Sequence, residues 1–99
     1  MKVKYKNRKI EKICTNASTA EKECGIDMAK KIHQRIDEIM AAEIVDILIN
    51  GRIGKCHSLI GKRTGQYSMV LVQPKRLIFT VDKNEIVQIA EIVEVVDYH

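Results

Sequence analysis

The chain has 99 residues, of which 45% are hydrophobic and 30% are charged, and its formal net charge is +4. This balance excludes a disordered chain, and the length suits one domain with one core, which we expect to span residues 1–99. No apolar run approaches the length of a membrane-spanning helix, and the basic N-terminus lacks the apolar run of a signal peptide, so we expect a cytoplasmic protein without a membrane partner.

The first half of the chain has the pattern of one strand followed by helices. Residues 2–6 alternate lysine with apolar side chains, which predicts a half-buried edge strand. Helical spacing of apolar residues predicts a short helix over 8–14, and Ser18 or Thr19 suits the cap of the next helix. Apolar residues recur every three or four positions from 26 to 40, which predicts a long amphipathic helix.

The second half has the pattern of loops and strands. Apolar residues at 44–48 either continue the long helix or form a separate short one, and four of the five glycines then lie within 51–65, which indicates a loop. Residues 66–81 predict a β-hairpin, and 90–98 predict a last strand, with 85–89 left open as helix or strand. Strands that follow helices predict an α+β fold, with the helices packed on a small, mainly antiparallel twisted sheet.

Charge is segregated along the chain. Residues 1–15 carry a net charge of +5 and residues 51–76 carry +6, whereas residues 16–50 carry −3 and residues 77–99 carry −4. A surface polarised in this way attracts a phosphate backbone or an acidic protein partner. The simpler alternative is a solvated basic face that has no ligand.

The cysteines and histidines do not form a recognised metal motif. Cys14, Cys24 and Cys56 are an odd set without a CxxC pair, which indicates reduced thiols. Zinc-finger and HExxH spacings are absent, so we expect no metal and no cofactor. Cys56 lies beside His57 in a basic segment, which leaves a nucleophilic thiol open, although an ordinary half-buried thiol is the simpler interpretation.

The second basic block gives the clearest indication of RNA binding. Lysine and arginine side chains on loops contact phosphates while strands hold them in register. Tyr67 either stacks on a base or packs into the core as a sheet residue. The candidate RNA-binding side chains of this block are Lys55, Lys62, Arg63, Tyr67 and Lys75, accompanied by His57 and Arg76.

The C-terminus offers an acid–base pair. If the last strand stays regular, Asp97 and His99 point to one side and Tyr98 to the other. A carboxylate beside an imidazole can raise the imidazole pKa, and an imidazole ordinarily titrates at about pH 6.5. Terminal residues often fray, which is the alternative to a catalytic role for His99.

Three segments resemble one family of toxins. Residues 56–68 resemble the H-x-L-K-G-D-R-x-G-x-[WY]-S segment of HigB-type toxins, the plasmid-maintenance killer family of the RelE/ParE superfamily. Residues 74–79 resemble that family's W-R-[LIV]-[VI]-F strand, and residues 95–99 its VDYH ending. Three departures stand out, because Ile60 and Lys62 replace the family's Lys and Asp around the central glycine, and Lys75 replaces its Trp.

The resemblance implies a RelE-like α+β toxin that cleaves mRNA on the 70S ribosome without a metal. It also implies a neighbouring HigA-like helix-turn-helix antitoxin. The positions that match residues linked with cleavage are His57, Asp97, Tyr98 and His99, and those that match basic residues near the scissile phosphate are Arg63 and Arg76.

The chemistry needs little from the protein, since RNA carries its own nucleophile in the 2′-hydroxyl. We expect one histidine to act as base and the other as acid, in an order that the sequence leaves open. Two alternatives remain. The same fold hosts ParE-like inhibitors of DNA gyrase, and the departures at Ile60 and Lys62 also suit an inactive toxin that only binds an antitoxin.

Overall fold

The structure, a computed structural model, describes residues 1–97. Within these residues the chain forms a strand, then four α-helices, then four strands, with single 3₁₀ turns at Ile53–Lys55 and Gly61–Arg63. In chain order the helices and strands are β1 (Lys2–Tyr5), α1 (Arg8–Thr15), α2 (Ala17–Cys24), α3 (Ile26–Ala41), α4 (Val45–Asn50), β2 (His57–Ser58), β3 (Gln66–Val70), β4 (Lys75–Asp82) and β5 (Ile89–Asp97).

The strands of the described chain form one sheet in the order β1-β5-β4-β3-β2. β1 runs parallel to β5, with Lys2 opposite Ile89 and Tyr5 opposite Ile92, and the other neighbours are antiparallel. The predicted α+β class, the 66–81 hairpin and the edge position of the first strand are therefore confirmed.

The helices cover one face of the sheet and bury the core there. Leu77 and Phe79, at alternate positions of β4, are fully buried. Ile32 and Ile39 of α3 are fully buried as well. Alternation along β4 turns Arg76, Ile78 and Thr80 to the opposite side, which we call the open face. The buried residues that pack together on the helix side include Ile32, Ile36, Ile39, Val45, Leu48, Met69, Leu77, Phe79, Ala90 and Ile92.

Asparagines begin the first two helices. The Asn7 side chain accepts a hydrogen bond from the Ile10 amide at 2.9 Å, and the Asn16 side chain accepts one from the Thr19 amide at 2.9 Å. The predicted cap of α2, Ser18 or Thr19, is wrong because Asn16 caps equally well and ends α1 at the same time. Residues 15–19 hold several cap-forming side chains, and the end of α1 decides which one is used.

Two open assignments are settled by contacts between distant segments. α4 is a separate helix, because Ala42 and Ile44 adopt extended backbone conformations between it and α3. Residues 85–88 are neither helix nor strand. The Gln88 side chain accepts a hydrogen bond from the Val45 amide at 3.0 Å, and the Gln88 carbonyl accepts one from the Lys2 amide at 3.1 Å. Among the described residues no helix has the length and apolar character needed to cross a membrane.

Candidate active site

The open face carries a row of side chains that crosses four strands. Residues paired in neighbouring antiparallel strands point to the same side, so pairing places His57, Ser68, Ile78 and Glu94 in one row. Strands lie about 4.8 Å apart, so the row spans about 14 Å. Ser68 and Ile78 are fully buried in its middle, and the Ser68 hydroxyl has no hydrogen-bond partner within residues 1–97.

His57 presents an exposed imidazole at one end of this row. It lies on the edge strand β2, and its Nδ1 is 2.9 Å from the Lys55 carbonyl oxygen. A carbonyl oxygen can only accept a hydrogen bond, so this contact requires the proton to be on Nδ1. In the neutral ring Nε2 then keeps its lone pair and can accept a proton from a substrate.

Arg63 crosses from the loop before β3 to the other end of the row. Its Nη1 donates to Glu94 Oε1 at 2.6 Å and to Gln66 Oε1 at 2.9 Å. The Arg63 side chain is 30% exposed and the Glu94 side chain 40% exposed, so the ion pair lies in contact with solvent. The guanidinium is thus held above the open face, where a charged fork of this kind suits a phosphate.

Arg76 lies one row further along β4, opposite Val70 and Val96. Its Nη1 donates to Gln73 Oε1 at 2.8 Å and to the Pro74 carbonyl oxygen at 3.3 Å. Two strand spacings and two residues along a strand separate it from His57, or about 12 Å between Cα atoms. An RNA phosphate between them would lie within reach of the Arg76 guanidinium and close to the His57 imidazole.

The predicted lysines surround this region on exposed backbone. Lys55 has a left-handed conformation (φ 53°) that turns its carbonyl oxygen toward His57. Lys62 lies in the 3₁₀ turn Gly61–Arg63, and Lys75 begins β4. The neighbouring Ile60, where the resembling family has lysine, is 88% exposed, so it adds an apolar tip to the loop.

The C-terminal candidates are only partly described. Asp97 ends β5 and pairs with Lys75, which places both on the same side of the sheet as Leu77 and Val95. The register therefore places Asp97 on the helix side and Arg76 on the open face. Tyr98 and His99 lie outside the described residues, so their predicted roles stay predictions.

Tyr67 is a partly buried sheet residue that packs against the core, which is the second of its two sequence interpretations. Its ring is stacked on Phe79, with 5.5 Å between centroids and 23° between planes, and Lys83 Nζ lies 5.8 Å from its centroid. A base can stack on Tyr67 only by displacing one of these two neighbours. The contact of Tyr67 with RNA stays a prediction.

The Cys56 thiol is unsuited to nucleophilic chemistry. Cys56 is buried, and burial raises the pKa of its thiol from 9.0 to about 11. A thiol with such a pKa stays protonated at neutral pH, whereas the nucleophile is the thiolate. Among residues 1–97 no three His, Cys, Asp or Glu side chains are grouped so that they could hold a metal ion.

The sequence reasoning missed three residues that the open face brings to the site. Glu94 holds Arg63, Gln66 shares that contact, and Ser68 lies next to His57 in the row. A glutamate inside a strand of valine and isoleucine must point away from the core, and that signal could have identified Glu94. Nothing local in the sequence distinguishes Gln66 or Ser68.

The whole fold has been seen before. A YoeB/ParE toxin from Agrobacterium tumefaciens superposes with a TM-score of 0.68 at 16% identity, covering 100% of both chains. The YoeB–YefM complex from Staphylococcus aureus gives 0.64 at 23% identity, and the YoeB dimer from the same organism gives 0.58 at 24%, each covering 100% of this chain and 97% of the other. The chain has the fold of YoeB/ParE toxins. At these identities the likeness establishes the fold alone, and no protein-family model and no curated protein matches the chain.

Proposed function

We propose that this protein is the toxin of a toxin–antitoxin system and that it cleaves mRNA on the 70S ribosome in the cytoplasm, without a metal. The observation that carries the proposal is the open face, where the exposed imidazole of His57 lies in the same layer as the guanidiniums of Arg63 and Arg76. The toxin fold and the HigB-type segments support it.

His57 acts as the general base in this mechanism. Its Nε2 removes the proton of the 2′-hydroxyl, and the 2′-oxygen then bonds to the neighbouring phosphorus. The bond from phosphorus to the 5′-oxygen breaks, and that oxygen takes a proton from an acid. The products are a 2′,3′-cyclic phosphate and a 5′-hydroxyl. Acid–base groups of this kind contribute about 10²–10⁴-fold each.

We assign the acid to His99, with Tyr98 as a supporting residue, whereas Asp97, which lies on the helix side, supports the end of β5 and not the reacting groups. The assignment follows from the resemblance of the chain ending and from the base role of His57, which leaves the second imidazole to donate. A histidine can do so near neutral pH.

Arg63 and Arg76 stabilise the charge that develops on the phosphate. Each donor that is well placed for the transition state contributes about 3–4 kcal/mol, by analogy with the loss of an oxyanion-hole donor. Lys55, Lys62 and Lys75 hold the flanking phosphates. Their exposure suits this task, since phosphate contacts position the strand without reading its sequence.

A HigA-like antitoxin silences the protein in this proposal. Two of the similar structures are YoeB–YefM complexes, which supports an antitoxin as the partner of this fold. Co-expression with the product of the adjacent small reading frame should restore growth. Failure of that product to bind the protein or to restore growth would contradict the proposed antitoxin.

Primer extension on mRNA after induction tests the nuclease. We expect new 5′ ends within translated messages for the wild type and none for His57→Ala or His99→Ala. His33→Ala is the matched control, because His33 Nε2 lies 3.1 Å from the Ile13 carbonyl oxygen, between α3 and α1 and away from the open face. It should lower stability but keep cleavage.

The same experiment separates the alternatives. Growth arrest with DNA damage and no new mRNA ends would indicate a gyrase inhibitor. No growth defect at all, with antitoxin binding retained, would indicate an inactive toxin. The exposed Ile60 and the lysine at position 62, which depart from the family pattern, would then be the candidate causes of the inactivity.

A further inference from the structure

A basic groove between α1 and α2 lies outside the candidate active site. Its volume is about 640 Å³. The first basic block of the sequence supplies most of its charge, which the active site does not use. The polar side chains in its walls are those of Arg8, Lys9, Lys12, Lys22, Ser18 and Thr19, together with the acidic Glu23.

The lysines and the arginine of this groove form no ion pair with any carboxylate of residues 1–97. The ion pairs within residues 1–97 are Arg35–Glu38 and Arg63–Glu94, so no carboxylate lies within 4.0 Å of a groove lysine or arginine. Arg8 and Lys12 are separated by one helical turn, and like charges at that spacing slightly destabilise a helix. An anionic ligand in the groove would relieve this repulsion.

The groove shares a lining residue with two cavities that border β5 and the start of β4. Lys9 lines it and also lines two neighbouring cavities, one of about 190 Å³ that reaches Glu94 and one of about 440 Å³ that reaches Lys75. β1 pairs with β5 only from Ile89 to Ile92, so the second half of β5 borders α1 without a strand between them. A bound strand could pass from the open face around this edge into the groove.

We propose that the α1–α2 groove binds the phosphate backbone of the RNA that flanks the cleavage site. The proposal rests on the proposed function and extends its substrate contacts to a second surface. Four cations that have no ion-pair partner in the described part of the chain, together with two hydroxyl groups, suit phosphate oxygens. An acidic protein segment would also suit the charge, but the neighbouring cavities that share Lys9 with the groove reach Glu94 and Lys75, which favours the substrate strand.

The test measures binding alone, so that it is independent of cleavage. The probe is a labelled single-stranded 2′-O-methyl RNA of about 20 nucleotides, longer than a site of roughly 4–16, and a second probe has about 4 nucleotides. The groove variant is Lys12→Gln with Lys22→Gln. Its matched control, Lys2→Gln with Lys30→Gln, removes two exposed lysines that line none of these cavities.

Affinity is measured between about 50 and about 200 mM salt. For the long RNA we expect the slope of log affinity against log salt to be shallower by about 1.4 in the groove variant than in the wild type. Each lost phosphate contact accounts for about 0.7 of this change. The short RNA and the control pair should show the wild-type slope.

An unchanged slope for the groove variant, or no binding of the long RNA by the wild type at low salt, would overturn the proposal. So would loss of poly-glutamate binding without a change for RNA, which would assign the groove to an acidic protein. If the wild type fails to cleave mRNA yet shows the expected slopes, the nuclease proposal fails, and the groove remains an RNA-binding surface but not one that flanks a cleavage site.

Discussion

Arg63 and Glu94 are joined across the open face by an ion pair of 2.6 Å, although 31 positions separate them in the sequence. Arg63 lies in a glycine-flanked turn, and Glu94 belongs to the longest strand of the described sheet. The pair therefore ties the loop before β3 to a rigid element. It also places a guanidinium over the row that begins with His57.

This geometry predicts different results for the two partners. Arg63→Ala should lower the cleavage rate by about 10²–10³, because a donor to the phosphate is lost. Glu94→Ala should lower it about tenfold, since the guanidinium remains but loses its support, an effect of about 1.4 kcal/mol. The free energy of unfolding should change by less than about 1 kcal/mol in both, because the pair is partly exposed.

Single-turnover kinetics and urea unfolding check these values. Glu91→Ala is the control, because Glu91 lies on the same strand, opposite Thr80, and forms no ion pair within the described residues. A Glu94→Ala variant as active as Glu91→Ala would contradict a positioning role.

Gly54 supports the segment that carries His57. A Cβ at Gly54 would lie 2.8 Å from Arg35 Nε, and its φ is +58°. Arg35 is buried, and its Nε donates to the Val70 carbonyl oxygen at 2.7 Å, so the side chain cannot easily move. Gly54→Ala should therefore lower the free energy of unfolding for two reasons, the left-handed backbone strain and the steric clash with Arg35.

Gly61→Ala separates these two costs. Gly61 has a φ of +69°, but a Cβ there meets nothing within 4 Å. We expect Gly54→Ala to be less stable than Gly61→Ala by about 1–3 kcal/mol in thermal or urea unfolding, as for overpacking in a core. Equal losses of stability in the two variants would show that the contact with Arg35 does not destabilise Gly54→Ala.

Burial of two thiols predicts a loss of stability at alkaline pH. Burial raises the pKa of Cys56 from 9.0 to about 11, and burial with the nearby Cys24 raises that of Cys14 to about 12. Above about pH 9 the unfolded chain loses thiol protons that the folded chain keeps, so the free energy of unfolding falls as the pH rises toward 11.

Urea unfolding at several pH values from 8 to 10 checks this effect against the Cys14→Ala, Cys56→Ala double variant, whose stability should depend less steeply on pH. Maleimide labelling of the native protein at neutral pH gives a second measure. Cys24, which is half-buried, should react first, and rapid labelling of Cys56 would contradict the assignment.

The sequence predicts the parts of this fold that depend on local patterning. Alternation of polar and apolar residues identifies β1, two β-rich runs around a proline turn identify the β3–β4 hairpin, and helical spacing identifies α3. The parallel pairing of β1 with β5 brings together Tyr5 and Ile92, a contact that no local pattern reports. The two-residue strand β2 lies in a glycine-rich stretch, and only its pairing with Ser68 and Tyr67 makes it a strand.

The candidate site is likewise predictable from the sequence only in part. The basic residues of the second block and His57 are visible as residue types and as matches to a family pattern. Their arrangement on one face depends on the register of four strands, and the support of Arg63 by Glu94 depends on a bulge at Ile78/Phe79 that shifts the pairing of β5. A one-residue shift turns side chains to the other face, so the sequence alone could not place them.

The chemistry of the RNA ends is the most direct test of the central claim that His57 Nε2 activates a 2′-hydroxyl. Purified protein is added to translating ribosomes, and the ends of the cleaved mRNA are identified. We predict a 2′,3′-cyclic phosphate with a 5′-hydroxyl, and a loss of at least about 10²-fold in rate for His57→Ala. Products with a 3′-hydroxyl, or wild-type cleavage by His57→Ala, would contradict the account.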